Sequence, residues 1–398
     1  MDKTYVAWCL TNFNTTIFMD THNLKTATRC VHSGTITDPI SGGVNSPVIT
    51  SSAFQFLDRE ENTYPRYFNT PNQEAVISKL CALEQGEAGL LLSSGMAAIS
   101  TAWVALLNTG DHVVIQEQIY GGTYHFAVSQ LEKLGISFTL VKGHDVASFE
   151  KAIRSNSRLL YFETPSNPLL NVYDVAAIAQ LARDHKMKSM IDNTFASPIN
   201  QNPLALGVDV VMHSGTKYLG GHSDLCFGAL ITSRELQKPM LETAINWGGS
   251  INAFTCYQIE RSLKTLSLRV QRQNENAQYL ANALQRHTGI KAVYYPGLEN
   301  HPNHQLARSQ MKGFGGMLSF ELRKQRDAVA FCKRLKLIKP ALSLGGVETI
   351  ISIPCLSSHI KMPKEERMAA GISDDLLRLS VGIEDVEDLL EDLVGAVD

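Results

Sequence analysis

Between Leu90 and Thr232 the chain alternates short apolar runs with stretches whose apolar residues recur at helical spacing. The runs predict strands at Leu90–Leu92, His112–Gln116, Ser137–Val141, Arg158–Glu163, Met187–Asp192, Val208–His213 and Phe227–Thr232. The periodic stretches predict helices at Met96–Leu107, Thr123–Leu134, Val146–Ile153 and Val175–His185, the last with Asp174 as its N-cap. Alternation of this kind implies a mainly parallel, doubly wound α/β sheet. Upstream, Gln73–Leu83 reads as a helix that Gly86 ends. Thr26 to Arg66 shows little periodicity, and Pro47, Pro65 and the Ser/Gly pairs predict an extended arm with turns.

Beyond the sheet the pattern changes. Phe254–Arg286 contains neither proline nor glycine and reads as one long helix, ended by Gly289. Strands are then expected at Lys291–Tyr295, Gly316–Leu322, Thr349–Ile353 and Leu376–Val381, with helices at Asp327–Leu335 and Val386–Val394. This order reads as a smaller α+β domain. The expected division is an N-terminal segment and arm over residues 1–72, a large domain over 73–253, and a linking helix with the C-terminal domain over 254–398.

Composition narrows the function. The chain has 398 residues, long for one core. A net charge of −3 gives no basic field for nucleic acid or a membrane surface. No apolar run reaches the roughly 18–20 residues of a membrane-spanning helix. Seven scattered cysteines without a CxxC pair fit reduced thiols in a cytoplasmic enzyme, not a zinc or redox motif. Met1–Asp20 lacks a continuous apolar core and a small-residue cleavage site, so it does not read as a signal peptide. It is expected to be poorly ordered or to pack on a neighbouring subunit, and Met19 offers an alternative start.

The candidate chemistry sits where strands are expected to end. Val208–Met212 leads into Ser214-Gly215-Thr216-Lys217. Hydroxyls at a sheet edge can hold a phosphate, and a lysine there can condense with a carbonyl. Alone, Lys217 looks like any solvated turn lysine. The preceding strand changes this, because it ends in Asp192 and supplies a carboxylate beside the lysine. A pyridine ring between them would pair its nitrogen with Asp192 and join its aldehyde to Lys217, as in a pyridoxal phosphate (PLP) site. Ser94-Gly95-Met96 follows another strand and opens a helix, where N–H groups and the dipole favour an anion. Tyr120 follows the strand His112–Gln116 and could lie flat on the ring. Arg378 lies inside an apolar strand, a costly place unless it is paired. Gly313-Phe314-Gly315-Gly316 precedes a strand and is a poor dinucleotide fingerprint. His213, His222 and Asp224 lack the spacing of a metal site, so no metal is expected.

Taken together these motifs resemble the Cys/Met-metabolism PLP enzymes: cystathionine lyases and synthases, methionine γ-lyase and the homoserine sulfhydrylases. The resemblance runs from about Thr26 to the end. It implies the aspartate-aminotransferase type of fold, with a seven-stranded, mainly parallel sheet and a smaller C-terminal α+β domain. It implies that Gly95, Met96, Ser214 and Thr216 bind the phosphate, that Tyr120 stacks on PLP and moves protons, and that Asn167 lies near the ring hydroxyl. In Tyr64-Pro65-Arg66-Tyr67-Phe68-Asn69-Thr70-Pro71 the family's closing Pro-Thr is transposed. Tyr64 and Arg66 match residues that reach the neighbouring subunit's site, where the arginine clamps the phosphate. Arg378 matches the arginine that binds the substrate carboxylate, and Ser343 matches another substrate-binding position. The protein is then expected to be a homo-oligomer, a dimer with shared sites and further a homotetramer, acting on a small sulfur amino acid.

Two departures bear on substrate. Gly122 stands where methionine γ-lyases carry cysteine, and Leu342 where cystathionine γ-lyases and γ-synthases carry glutamate. Both favour a cystathionine β-lyase-like activity in transsulfuration and methionine biosynthesis. The alternatives are a γ-lyase or a γ-replacement enzyme. A non-catalytic PLP-fold binding protein is disfavoured, since every cofactor position is intact.

Overall fold

The structure is a computed structural model that describes residues 21, 23–323, 327–360 and 362–397. The readings of Met1–Asp20 and of Met19 lie outside the described residues. Seven strands form the larger sheet: β1 Ala88–Leu92, β2 His112–Gln116, β3 Ser137–Val141, β4 Ser157–Glu163, β5 Lys188–Asp192, β6 Val210–Ser214 and β7 Gly228–Thr232. Their order is β1-β7-β6-β5-β4-β2-β3, with β7 antiparallel to both neighbours and the other pairings parallel. Each expected strand is found within two residues of its expected start and end.

The continuous apolar runs are explained by helices on both faces. Val113, Ile115, Tyr161, Met190 and Met212 pack with Trp103 of the helix Gly95–Leu106 on one face. Val114, Leu160, Phe162, Ile191 and Val211 pack with Ile178 of the helix Val175–Asp184 on the other. Asp174 caps that helix, its carboxylate accepting from Ala177 N at 3.0 Å.

The smaller sheet contains β8 Ile290–Tyr294, β9 Met317–Leu322, β10 Lys339–Pro340, β11 Ile350–Ser352 and β12 Leu376–Ser380, in the order β10-β11-β12-β9-β8. Leu318, Phe320, Leu377 and Leu379 face a core shared with the helices Leu266–Arg286 and Val386–Val397. Arg378, Ser319 and Ser352 stand in one row on the opposite face. Ser319 Oγ from that row donates to Pro168 O at 2.7 Å and so ties the sheet to the segment after β4.

Local pattern misled in two places, at Thr26–His32 and at the break after Leu263, and left Arg234–Trp247 unassigned. Thr26–His32 is helical, because buried Lys79 donates to Cys30 O and Val31 O at its C-terminal end. Arg234–Trp247 is a helix despite Pro239, capped by Ser233 and seated through Met240 and Ala244. The expected helix Phe254–Arg286 is two, Ala253–Leu263 and Leu266–Arg286. Nothing in the residues at the break demands it. Its cause is Arg269, 4% exposed, which reaches back to Ser262 O and across to Tyr218 O, both at 2.8 Å, with Nε on Thr265 Oγ1. Ser262 O is thereby satisfied from outside the ordinary helical ladder.

Tyr218 follows Lys217, so this guanidinium also anchors the lysine turn. Replacing Arg269 by Met should leave Tyr218 O without a donor and Ser262 O with only the Thr265 N–H and hydroxyl at 3.2–3.3 Å, and cost roughly 1–3 kcal/mol. Chemical denaturation should show that loss, together with weaker cofactor retention. An unchanged midpoint would mean that Arg269 does not hold the break.

Candidate active site

Three parallel strands end at one edge of the larger sheet. Glu163 of β4 lies beside Asp192 of β5, and Asp192 beside Met212 of β6, two residues before Ser214. β1 runs in the same direction as β6, since both are antiparallel to β7, and Leu92, Gly228 and Ser214 share a row. Ser94 therefore meets Ser214 across Gly228. A Cβ on Gly228 would stand 2.1 Å from Ser94 O, and one on Gly95 2.9 Å from Ser214 Cβ. Both positions need bare backbone for the two turns to close. Ser94 Oγ accepts from Ala97 N at 3.0 Å, while the first-turn N–H groups of Gly95 and Met96 have no partner within the helix. These donors and the Ser214 hydroxyl make an anion cup. Thr216 lies one turn on, with its hydroxyl engaged by the Phe227 backbone at 3.3–3.5 Å.

Lys217 Nζ donates to Ser343 Oγ at 2.8 Å. Burial first, and then the nearby Arg378 guanidinium, push the lysine amine below its ordinary value. Ser343 sits at φ +88°, a left-handed conformation that costs a side-chain-bearing residue of order 1–3 kcal/mol. The cost is offset by its two bonds, because Ser343 O accepts from Arg378 Nη2 at 3.3 Å. Arg378 is 6% exposed and donates through Nη1 to Asn167 Oδ1 at 2.9 Å. Its Nε is buried without a partner, and no carboxylate among the described residues bonds it. Burial pushes its pKa down to about 10. An anion supplied from solution would satisfy this group bidentately.

Asp192 Oδ1 accepts from Thr194 N at 2.9 Å. Burial raises the carboxyl, while the Thr194 bonds and the nearby His213 and Lys217 pull it back. Thr194 Oγ1 in turn accepts from Ser214 N at 2.8 Å, joining the acid to the cup. Sequence reasoning missed Thr194. A hydroxyl two residues after a strand-terminal acid was the available signal.

Tyr120 is half-exposed and opens the helix Gly121–Phe126, where Tyr124 N donates to its carbonyl. A Cβ at Gly122 would lie 2.4 Å from Tyr120 Cε1 and 3.1 Å from Met96 Sδ. Tyr120, Gly122 and Met96 are thus brought together, and the Tyr120 ring occupies the space a larger residue at 122 would need. Tyr64 and Arg66 lie elsewhere in the chain. Arg66 Nη1 donates to Ile245 O at 2.9 Å, with its guanidinium over the Tyr64 and Tyr67 rings at 5.8 and 5.4 Å. Neither residue bonds Ser94, Ser214, Thr216 or Lys217 of the same chain. The transposed pair is well placed, with Thr70 as N-cap and Pro71 at the first position of the helix Pro71–Glu84. Leu342 is 74% exposed beside Ser343. His213 bonds Glu84 at 2.6 Å, and His222 bonds Gly220 O at 2.9 Å.

An anion cup, a buried amine and a carboxylate on the adjacent strand fit a phosphorylated pyridine aldehyde, and they define a lysine-and-acid PLP enzyme. The chain belongs to the Cys/Met metabolism PLP-dependent enzyme family, which matches residues 27–398, and its cofactor is pyridoxal 5′-phosphate. It is 42% identical to a cystathionine γ-lyase of Bacillus subtilis (94% of this chain, all of the relative). It is 41% identical to a cystathionine β-lyase of the same organism (95% and 98%). The solved cystathionine γ-synthase of Xanthomonas oryzae in complex with cystathionine superimposes with a TM-score of 0.90 at 38% identity (94% and 97%). Lyases of both kinds and synthases are thus equally near, and the chain is an enzyme of sulfur amino acid metabolism. No helix among the described residues is long and apolar enough to cross a membrane.

Purified protein should be yellow, and borohydride should fix the cofactor mass to the peptide carrying Lys217. A label on a different lysine would remove Lys217 from its assigned position.

Proposed function

We propose that this enzyme is a cystathionine β-lyase, converting L-cystathionine and water to homocysteine, pyruvate and ammonia. PLP, when bound, supplies an electron sink for the carbon that bears the amine. Arg378, with Nε unpartnered, takes the substrate α-carboxylate, and Ser343 holds the Lys217 amine in position. The lowered pKa of Lys217 favours the neutral amine, which takes the proton from Cα. Asp192 keeps a proton on the ring nitrogen. Tyr120, half-open to solvent, is placed to pass a proton to the departing sulfur. The Gly95, Met96, Ser214 and Thr216 groups anchor the phosphate, with Tyr64 and Arg66 serving a neighbouring subunit in a dimer or tetramer.

The observation that carries the choice of bond is Leu342. It stands exposed beside Ser343, at the position where γ-lyases and γ-synthases are expected to carry glutamate. A carboxylate there would hold the distal ammonium of cystathionine in a pose for γ-chemistry. Leucine cannot form that charge-assisted bond, so the pose loses roughly 1.5–3 kcal/mol, about tenfold or more in preference. The crowding at Gly122 supports the same reading against a methionine γ-lyase.

Product analysis with L-cystathionine should give mainly pyruvate with homocysteine, and Leu342→Glu should raise the 2-oxobutyrate share. Dominant 2-oxobutyrate with cysteine from the wild type would replace this assignment with a γ-lyase. For the shared site, Lys217→Ala and Arg66→Ala chains, each nearly inactive alone, should regain part of the activity when mixed. One site of the mixed dimer then carries both lesions and the other neither. No recovery despite demonstrated subunit exchange would count against a site built from two chains.

A further inference from the structure

Glu163 ends β4 with its side chain 6% exposed, and no cation among the described residues bonds it. Oε1 does double duty, accepting the Tyr120 N–H at 2.8 Å and the Tyr161 hydroxyl at 3.3 Å. Oε2 makes no hydrogen bond among the described residues. The groups facing Glu163 can be named element by element. β5 presents Asp192, its register partner on the adjacent strand. β4 presents Tyr161, and β2 presents Gln116, whose Oε1 accepts from Glu163 N at 3.0 Å. The helix Gly121–Phe126 brings Thr123, a buried hydroxyl without a partner. Tyr173 is a further titratable neighbour. The one charged neighbour is therefore another acid.

Two ionised carboxylates on neighbouring strand ends, with Glu163 buried and without a cation among the described residues, repel each other, and Glu163 loses hydration. The less costly state has one proton on the pair. Asp192 has the Thr194 N–H and, nearby, His213 and Lys217 in favour of its charge, whereas Glu163 has only the Tyr120 N–H and the Tyr161 hydroxyl, with burial and Asp192 against its ionisation outweighing them. Oε1 is committed as an acceptor, which leaves Oε2 to carry the proton.

We propose that Glu163 works as a neutral carboxylic acid, a positioning residue that holds the Tyr120 turn at the cofactor pocket and leaves Asp192 as the ionised member of the pair. This rests on reading Tyr120 and Asp192 as cofactor contacts. The acid fixes the Tyr120 backbone while Gly122 leaves room for its ring, so the two together set where the aromatic face stands. With Glu163 neutral, a single negative charge faces the ring nitrogen.

The test uses apoprotein and two variants, Glu163→Gln, which keeps a neutral acceptor of the same shape, and Glu163→Ala, which removes it. In the unfolded chain Glu163 ionises near its ordinary value of about 4.3, whereas the folded protein keeps the proton well above that. Wild type must therefore lose stability relative to Glu163→Gln as the pH rises. The gap in thermal midpoint should be near zero around pH 4 and reach several degrees in favour of Gln by about pH 8. Absorbance titration with PLP should find Glu163→Gln within about threefold of wild type and Glu163→Ala weaker by about tenfold, the Tyr120 N–H having lost its acceptor. A gap of the opposite slope, or a Gln variant as poor as Ala in PLP affinity, would show that the site uses the carboxylate and would overturn the proposal. If Glu163→Gln does not fold, wild type alone decides. A protonated-carboxyl infrared band that shifts in D2O should persist at neutral pH and disappear on alkaline titration, and its absence would be equally fatal. Asp192→Ala with unchanged PLP affinity and spectrum would instead undo the reading of Asp192 as a cofactor contact, while leaving the slope test for Glu163 intact.

Discussion

Two cations share one cleft, and among the described residues no carboxylate is hydrogen-bonded to either. Lys217 comes from the turn after β6 and Arg378 from β12 of the other sheet, and Ser343 touches both, through its hydroxyl and its carbonyl. Much of the site follows from that arrangement. Burial first, and then the Arg378 guanidinium, displace the lysine amine toward its neutral form. The unpartnered Arg378 Nε is a standing demand for an anion. The strain at Ser343 persists because both of its bonds would be lost if it relaxed. In the proposed reading, a substrate carboxylate would meet that demand and bring its amine toward Lys217. Binding and reaction geometry are thus coupled through one strained residue.

Across the pocket the acids are handled in the opposite way. Asp192 is supported by Thr194 and lies near His213, which is itself fixed by Glu84. Glu163 has the Tyr120 N–H and the Tyr161 hydroxyl but no cation among the described residues, and belongs to the Tyr120 turn. The parallel register that sets Glu163 and Asp192 side by side is what makes their environments diverge. Similar side chains at equivalent strand ends serve different purposes because of what each neighbouring element delivers.

At the site the two sheets are linked by Ser319 to Pro168, Arg378 to Asn167 and Lys217 to Ser343, beside apolar clusters that group Leu169 with Leu376, and Tyr218 and Leu219 with Met317 and Leu344. Arg269 adds a fourth hold from the broken helix to Tyr218. In the proposed reading, substrate preference falls to rim positions such as Leu342, 74% exposed. Relatives named as β-lyase, γ-lyase and γ-synthase are equally similar over almost the whole chain.

The strands were legible because burial on both faces demands unbroken apolar runs, and the two periodicities separate cleanly from Leu90 to Thr232. The lysine, the acid and the Gly95 turn were legible for a related reason: strand ends at one sheet edge converge, so order along the chain predicts nearness in space. Other features had no local signal. The break at Lys264–Thr265 is imposed by a guanidinium four residues further on, which reaches a carbonyl far back in the chain. The helix Thr26–His32 depends on a lysine about fifty residues away. The unequal treatment of Glu163 and Asp192 depends on which cation or donor lies within a few ångströms, and that is set by strand order, not by strand identity. Sequence pattern determined which elements form and where their reactive ends gather. Only the tertiary structure decided the charge each end carries, because burial and electrostatic partners belong to the packed molecule and not to any local stretch of it.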